Sequence, residues 1–265
     1  LKSQGGSINY NSKIPLAVDS GAVVSNITLS EMVKAVKSAE LIPIAKVSIL
    51  NDNIAPKFNR NLSYKIENSD SLWFDNNVQS GGKPWISPFE ADTQEYISQI
   101  AKEISSAGFT QVICTDVAFP EFRQSDITYV GEIVKNANRY ETLLNTFNTY
   151  KENSEGAQVL LEVSAAKILS GTEEVFVPEK LENTTVAVKF TPTDFEKNIA
   201  VDGTEIVLKG VKTYDKVKMI FEKVKAKSAE LTIVPCINKQ AYSDADLAEA
   251  KKALTDLGYK FIIVQ

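Results

Sequence analysis

The sequence predicts an α/β protein built on parallel strands. Apolar residues alternate along the chain between a helical period of about 3.6 and short strand-like runs. The two kinds of segment take turns, the order that right-handed crossovers convert into parallel pairing. The 265 residues are 43% hydrophobic and 24% charged, enough to bury a sizeable core. One domain over 1–265 is expected, since α/β barrels of this length are single domains.

Thr28-Leu29-Ser30-Glu31 has capping-box spacing and opens a helix with Met32, Val33 and Val36 on one face. The apolar run Leu41–Leu50 follows as a strand. Asp92-Thr93-Gln94-Glu95 reads as the next cap, ahead of Tyr96, Ile97, Ile100, Ala101 and Ile104 at helical spacing. Gly108 closes that helix, and Phe109–Val117 is the second strand. Tyr140, Leu143, Leu144, Phe147 and Tyr150 predict another helix, before the strands 158–164 and 184–190. Val201-Asp202-Gly203-Thr204 is a hairpin turn. A helix over 211–227, a strand over 231–237, a Ser243-capped helix ended by Gly258, and a sixth strand over 259–264 complete the pattern. Residues 51–91 form a long insertion without clear periodicity, and it holds both tryptophans, Trp73 and Trp85.

Composition removes whole mechanisms. The chain has no histidine, which excludes Ser-His-Asp and Cys-His nucleophiles, His-ligated zinc and His-held haem. Acid–base work must fall to carboxylates, lysines, tyrosines or the two cysteines. Cys114 and Cys236 lack CxxC spacing and read as buried strand thiols. The net charge of -5 is evenly spread, and only three basic residues are arginine, so no nucleic-acid partner is expected. No metal and no cofactor is expected either. No 18-residue apolar run is present, so no membrane span is predicted. The chain starts on Leu1-Lys2 without methionine or a signal-peptide pattern, and is expected to be a processed or truncated piece.

Trp85-Ile86-Ser87-Pro88-Phe89, Glu95-Tyr96-Ile97, Ala101-Lys102-Glu103, Gly108-Phe109 and Phe119-Pro120 carry a resemblance. They resemble the putative glycosyl hydrolase domain family of bacteria (DUF4015), which reads roughly W-x-N-P-Y, Y-N-x-x-I-A-x-E-A and G-F-D-E-I-Q-F-D-Y-V-R-F-P. Lys2 through Gly6, Ile8, Tyr10 and Ser12 looks like the family's K-x-x-x-G-x-v-x-Y-x-S, and Ile44-Ala45-Lys46-Val47 with Asp52 like I-A-R-i…D. Weaker matches reach Pro192-Thr193-Asp194-Phe195 and Pro235-Cys236, so that the resemblance takes in nearly the whole chain. It implies a TIM-like (β/α)8 barrel with its site at the C-terminal strand ends. It also implies that Leu1-Lys2 ends a second strand, leaving six of eight strand units in this chain.

The departures fall on the polar landmarks. The family's motif aspartate aligns with Thr115, its tyrosine with Asp116 and its arginine with Ala118. The aspartate of S-A-D aligns with Ala166, and the histidine of P-S-H-Y with Asp194. In a regular strand Asp116 would face the helices rather than the barrel interior, unless a bulge redirects it. A glycosidase needs two carboxyl groups, about 5 Å apart if retaining and about 6.5–9.5 Å if inverting. Asp116, with Glu162 or Asp194, are the candidate catalytic acids. Trp85 and Trp73 are the candidate sugar-stacking aromatics, and Lys46, Asp52, Thr115 and Lys189 the candidate polar substrate contacts. Lys46 and Glu162 are alternatively a buried ion pair. The resemblance implies a carbohydrate partner, such as a cell-envelope polysaccharide, and an extracellular or cell-surface setting. Binding with a degenerate catalytic site is the leading expectation. An active glycoside hydrolase and a structural domain of a surface protein are the alternatives.

Overall fold

The computed structural model describes residues 1–264 apart from 182, 196–197 and 229–230, with the backbone alone at 132–133. The chain folds as two compact units, Leu1–Val159 and Leu160–Gln265.

In the first unit the helix Leu29–Ser38 begins on the expected capping box: Thr28 Oγ1 accepts from Glu31 N (3.2 Å) and Glu31 Oε2 from Thr28 N (2.8 Å). It buries Leu29 and Val33 and leads into β1 (Ile44–Ser48). The helix Ala91–Ser106 starts one residue before the expected Asp92, which lies in its first turn, where a negative charge suits the helix dipole. Tyr96, Ile97, Ile100, Ala101 and Ile104 all point into the core. Gly108, at φ +97°, turns the chain into β2 (Gln111–Thr115).

β1 and β2 pair in parallel with Lys46 opposite Ile113 and Ser48 opposite Thr115. Lys46, Ser48, Ile113 and Thr115 therefore share one face, and Ala45, Val47, Val112 and Cys114 the other. Residues 1–5 run beside β1, with parallel bridges Lys2–Val47 and Gly5–Asp52. The helix Arg139–Glu152, capped by Asn138, buries Leu143, Phe147 and Tyr150. Short helices at Pro15–Asp19, Ala55–Phe58, Gln124–Val130 and Glu132–Asn136 escape sequence reading, being too short to show a period.

β3 (Gln158–Ser164) matches its expected bounds and lies in the second unit from Leu160 on, followed there by β4 (Thr185–Phe190). β5 (Ile199–Val201) and β6 (Thr204–Ile206) form the expected hairpin, with Asp202 (φ +51°) and Gly203 (φ +78°) in its two-residue turn. β7 (Thr232–Ile237) pairs with β4, and β8 (Ile263–Val264) with β7, all parallel. The last strand is shorter than the expected 259–264 because Tyr259 packs edge-on against Phe221 at 5.7 Å and its N–H closes the preceding helix on Leu254 O at 3.1 Å. The helices Thr213–Lys227 and Asp244–Asp256 bury Val217, Ile220, Phe221 and Val224 on one side and Leu247, Ala250, Ala253 and Leu254 on the other. Phe190 stacks on Phe195 at 4.9 Å.

The architecture is mixed α/β with six parallel strands among the described residues, two in the first unit and four in the second. A closed eight-stranded barrel is not seen among them.

Candidate functional site

The first unit places three candidates around the C-terminal ends of β1 and β2. Lys46 is half-buried on β1, and its carbonyl accepts from Leu1 N at 2.7 Å. Thr115 is the last residue of β2 and is 6% exposed. Asp116 follows at φ +55°, a left-handed conformation that costs a non-glycine residue about 1–2 kcal/mol and that aspartate tolerates better than most. This turn breaks strand alternation. Instead of facing away from Thr115, the Asp116 carboxylate folds back on it: Thr115 Oγ1 donates to Oδ2 at 2.7 Å, and Gln4 Nε2 donates to Oδ1 at 2.7 Å. Its carbonyl still accepts from Leu50 N (3.2 Å). Both carboxylate oxygens are thus oriented by neutral donors at the strand end.

Asp52 does not belong with the substrate contacts. It is fully buried, pairs with Lys2 Nζ at 3.1 Å, and accepts from the N–H groups of Ile54 (2.9 Å) and Ala55 (3.0 Å). Lys2 Nζ also donates to Ser48 O at 2.9 Å. Gly6 packs directly on this pair at φ +100°, and a Cβ there would run into the Asp52 carboxylate. Gly5 N donates to Asn51 O at 2.9 Å and Gly5 O accepts from Asn53 N at 3.1 Å, which fixes the turn carrying Gln4. A second cluster joins the buried Tyr10 and Ser12 to half-buried Glu103. Glu103 accepts from Tyr10 Oη (2.9 Å), Ser12 Oγ (2.7 Å) and Lys13 N (2.7 Å). Burial and the Glu103 charge push the Tyr10 hydroxyl well above its ordinary range, so it stays a donor.

The insertion separates the two tryptophans. Trp73 is 3% exposed and meets Phe122 at 4.7 Å and Tyr64 at 5.9 Å, an aromatic cluster that ties residues 64–73 to the segment after β2. Trp73 therefore packs the insertion onto the body and is closed to a sugar, correcting the expectation for it. Trp85 is half-buried; its Nε1 donates to Asp75 Oδ2 at 2.9 Å, and Asp75 also accepts from Lys83 N at 2.7 Å. Arg123 clamps the same turn through Asp75 O at 3.0 Å.

In the second unit the register sets Ser164 opposite Lys189 and Lys189 opposite Cys236, with Glu162 two residues before Ser164 on the same face. Cys236 Sγ contacts Glu162 Oε2 at 3.7 Å. Glu162 and Lys189 are half-buried, while Val163, Val188 and Phe190 on the other face are buried. Ala166 lies beyond the end of β3, in the helix Ala165–Ser170 capped by Ser164, so strand parity does not reach it. Asp194 is exposed on the turn Pro192–Phe195 after β4. Glu173 accepts from Ser164 N at 3.1 Å, and burial raises its carboxyl above the ordinary range, with the Ser164 bond and Lys167 pulling it down. A raised folded-state value means the native protein holds the proton longer, so stability falls as pH rises from the unfolded toward the folded value. Glu173→Gln is expected to gain stability over wild type at neutral pH and to match it at pH 3, measured by urea unfolding across pH.

Among the described residues no group of three or more Cys, Asp or Glu is arranged to hold a metal ion, and no helix is long and apolar enough to cross a membrane.

Residues 1–170 match the family described as "Putative glycosyl hydrolase domain" (DUF4015). The chain belongs to that family. The match stops short of Asp194 and Cys236, so the family likeness is narrower than the near-whole-chain resemblance expected. Of the residues that carry the sequence resemblance, Lys2, Gly6 and Asp52 meet in one cluster and Tyr10, Ser12 and Glu103 in the other. No curated protein matches the sequence. Among solved structures, the PgaB (BpsB) glycoside hydrolase domain from Bordetella bronchiseptica is 14% identical over 86% of this chain and 71% of that one, with a TM-score of 0.56. The glycoside hydrolase domain of PelA from Pseudomonas aeruginosa is 14% identical over 98% and 93%, TM-score 0.50. The GH20 exo-β-N-acetylglucosaminidase from Vibrio harveyi, in complex with N-acetylglucosamine, is 11% identical over 89% and 35%, TM-score 0.53. At these identities the likeness is one of fold.

Sequence reading passed over Gln4. The Gly5-Gly6 pair beside Gln4 was the available signal, since consecutive glycines mark a backbone turned through positive φ.

Proposed function

We propose that this family member binds carbohydrate at the C-terminal ends of its parallel strands, with the chemistry of a glycoside hydrolase lost or altered. The observation that carries this is the end of β2, where Thr115 stands at the family's aspartate position and the Asp116 carboxylate is folded over it, held by two neutral donors. A carboxylate so oriented accepts hydrogen bonds from sugar hydroxyls, with Lys46 on the neighbouring strand and half-buried Trp85 as further contacts in the first unit. An envelope polysaccharide met outside the cell fits this reading.

Calorimetric titration with envelope polysaccharide fragments tests it. Asp116→Asn is expected to weaken binding about ten-fold, the scale of one hydrogen bond to a charged group, and Gln4→Ala to weaken it in the same direction by less. Wild-type affinity in Asp116→Asn would remove the strand end from the site.

One observation favours a second reading, an active hydrolase. The left-handed turn brings Asp116 to the Thr115 side, where the family motif has its acid. Release of reducing ends from the same fragments, abolished in Asp116→Asn, would mark turnover rather than binding.

A further inference from the structure

A groove of about 440 Å³ opens in the first unit, lined by the stretch Tyr64–Asp70 together with Ser87, Phe89, Glu90 and Val130. Its volume lies in the range of small-molecule sites, about 300–1,000 Å³. It shares no residue with the Gln4, Thr115 and Asp116 cluster. Half-buried Phe89 gives the groove its aromatic surface, and buried Tyr64 meets it edge to face with ring centroids 6.4 Å apart. Around that surface stand Ser87, Glu67 and Glu90 as hydrogen-bonding groups, with Lys65 as the cation.

The walls are pre-formed. Lys65 bridges Leu72, Ile66 N donates to Ser71 O at 2.9 Å, and Glu67 N donates to Tyr129 O at 2.7 Å. Gly131, at φ +94°, lies close against Glu67: a Cβ there would come within 3.0 Å of its carboxyl carbon. A groove that needs no ordering on binding keeps more of its interaction energy. Burial raises the Glu90 carboxyl above the ordinary range, with Lys65 opposing and Asp92 adding to the shift.

We infer that this groove is a second saccharide subsite, separate from the strand ends, that takes uncharged or amine-bearing rings and rejects uronates. The aromatic wall suits the apolar face of a sugar ring, and the carboxylates its hydroxyls. Glu67, Asp70 and Glu90 outnumber Lys65 in the lining, and like charges facing each other oppose a uronate. The inference rests on the carbohydrate reading above but puts binding in a different place.

The test titrates chitosan oligomers, N-acetylated chito-oligomers and oligogalacturonate into wild type, the double variant Glu67→Gln/Glu90→Gln, and Asp116→Asn, following backbone amide shifts by NMR. Chitosan and N-acetylated oligomers should shift the Ser87 and Phe89 amides in wild type and in Asp116→Asn. The double variant should weaken the chitosan interaction about ten-fold or more, and oligogalacturonate should bind at least about ten-fold more weakly than either. Groove amides that stay still while Asp116→Asn alone abolishes binding would overturn this inference and leave the strand-end reading intact. Equal binding of oligogalacturonate, or an unaffected double variant, would also overturn it. No saccharide binding at all would sink both.

Discussion

Asp52→Ala is expected to destabilise the protein by about 3–5 kcal/mol, the range for removing one partner of a buried ion pair. Lys2 and Asp52 side chains are 1% and 0% exposed, so the lysine left behind would hold a charge with neither water nor a counter-ion. The loss spreads further, because Asp52 also satisfies the N–H groups of Ile54 and Ala55 where the chain leaves β1. The double variant Lys2→Met/Asp52→Leu should recover much of the loss, since it leaves no charge unpaired. Urea unfolding midpoints at constant m-value measure both. A loss below about 1 kcal/mol in Asp52→Ala would mean that water reaches the pair, in conflict with its burial.

Glu103→Ala is expected to cost about 3 kcal/mol, since it strands the hydroxyls of Tyr10 and Ser12, which are 0% and 1% exposed. Glu103→Gln keeps an acceptor oxygen and should cost clearly less. The same unfolding measurement separates them, and equal losses in the two variants would assign the effect to the charge rather than to the hydrogen bonds.

These two clusters bring together six of the residues that carry the family resemblance. Lys2, Gly6, Asp52, Tyr10, Ser12 and Glu103 are widely spaced in the chain, and what links them is polar pairing inside the first unit. Sequence reading places Asp52 with Lys46 among the substrate contacts through the family's I-A-R-i…D pattern. Its partner Lys2 lies fifty residues away (52 minus 2) and no local pattern joins them. Trp73 went the same way: a tryptophan in a long insertion fits sugar stacking or packing equally well, and only its contacts with Tyr64 and Phe122 decide for packing.

The parallel α/β class, the order of strands and helices, the hairpin at Asp202-Gly203 and the absence of histidine chemistry were all legible from residues alone. They depend on period, capping and turn chemistry, which act over a few neighbouring positions. The direction of the Asp116 carboxylate was not. Strand alternation assigns it to the helix side, and a single left-handed residue returns it to Thr115, where Gln4, 112 residues distant, completes its hydrogen bonding. The groove likewise draws on residues 64–70, 87, 89, 90 and 130, which no period relates. Local preference sets the elements. Which side chains meet at their ends follows from backbone turns and long-range pairs that exist only once the chain has packed.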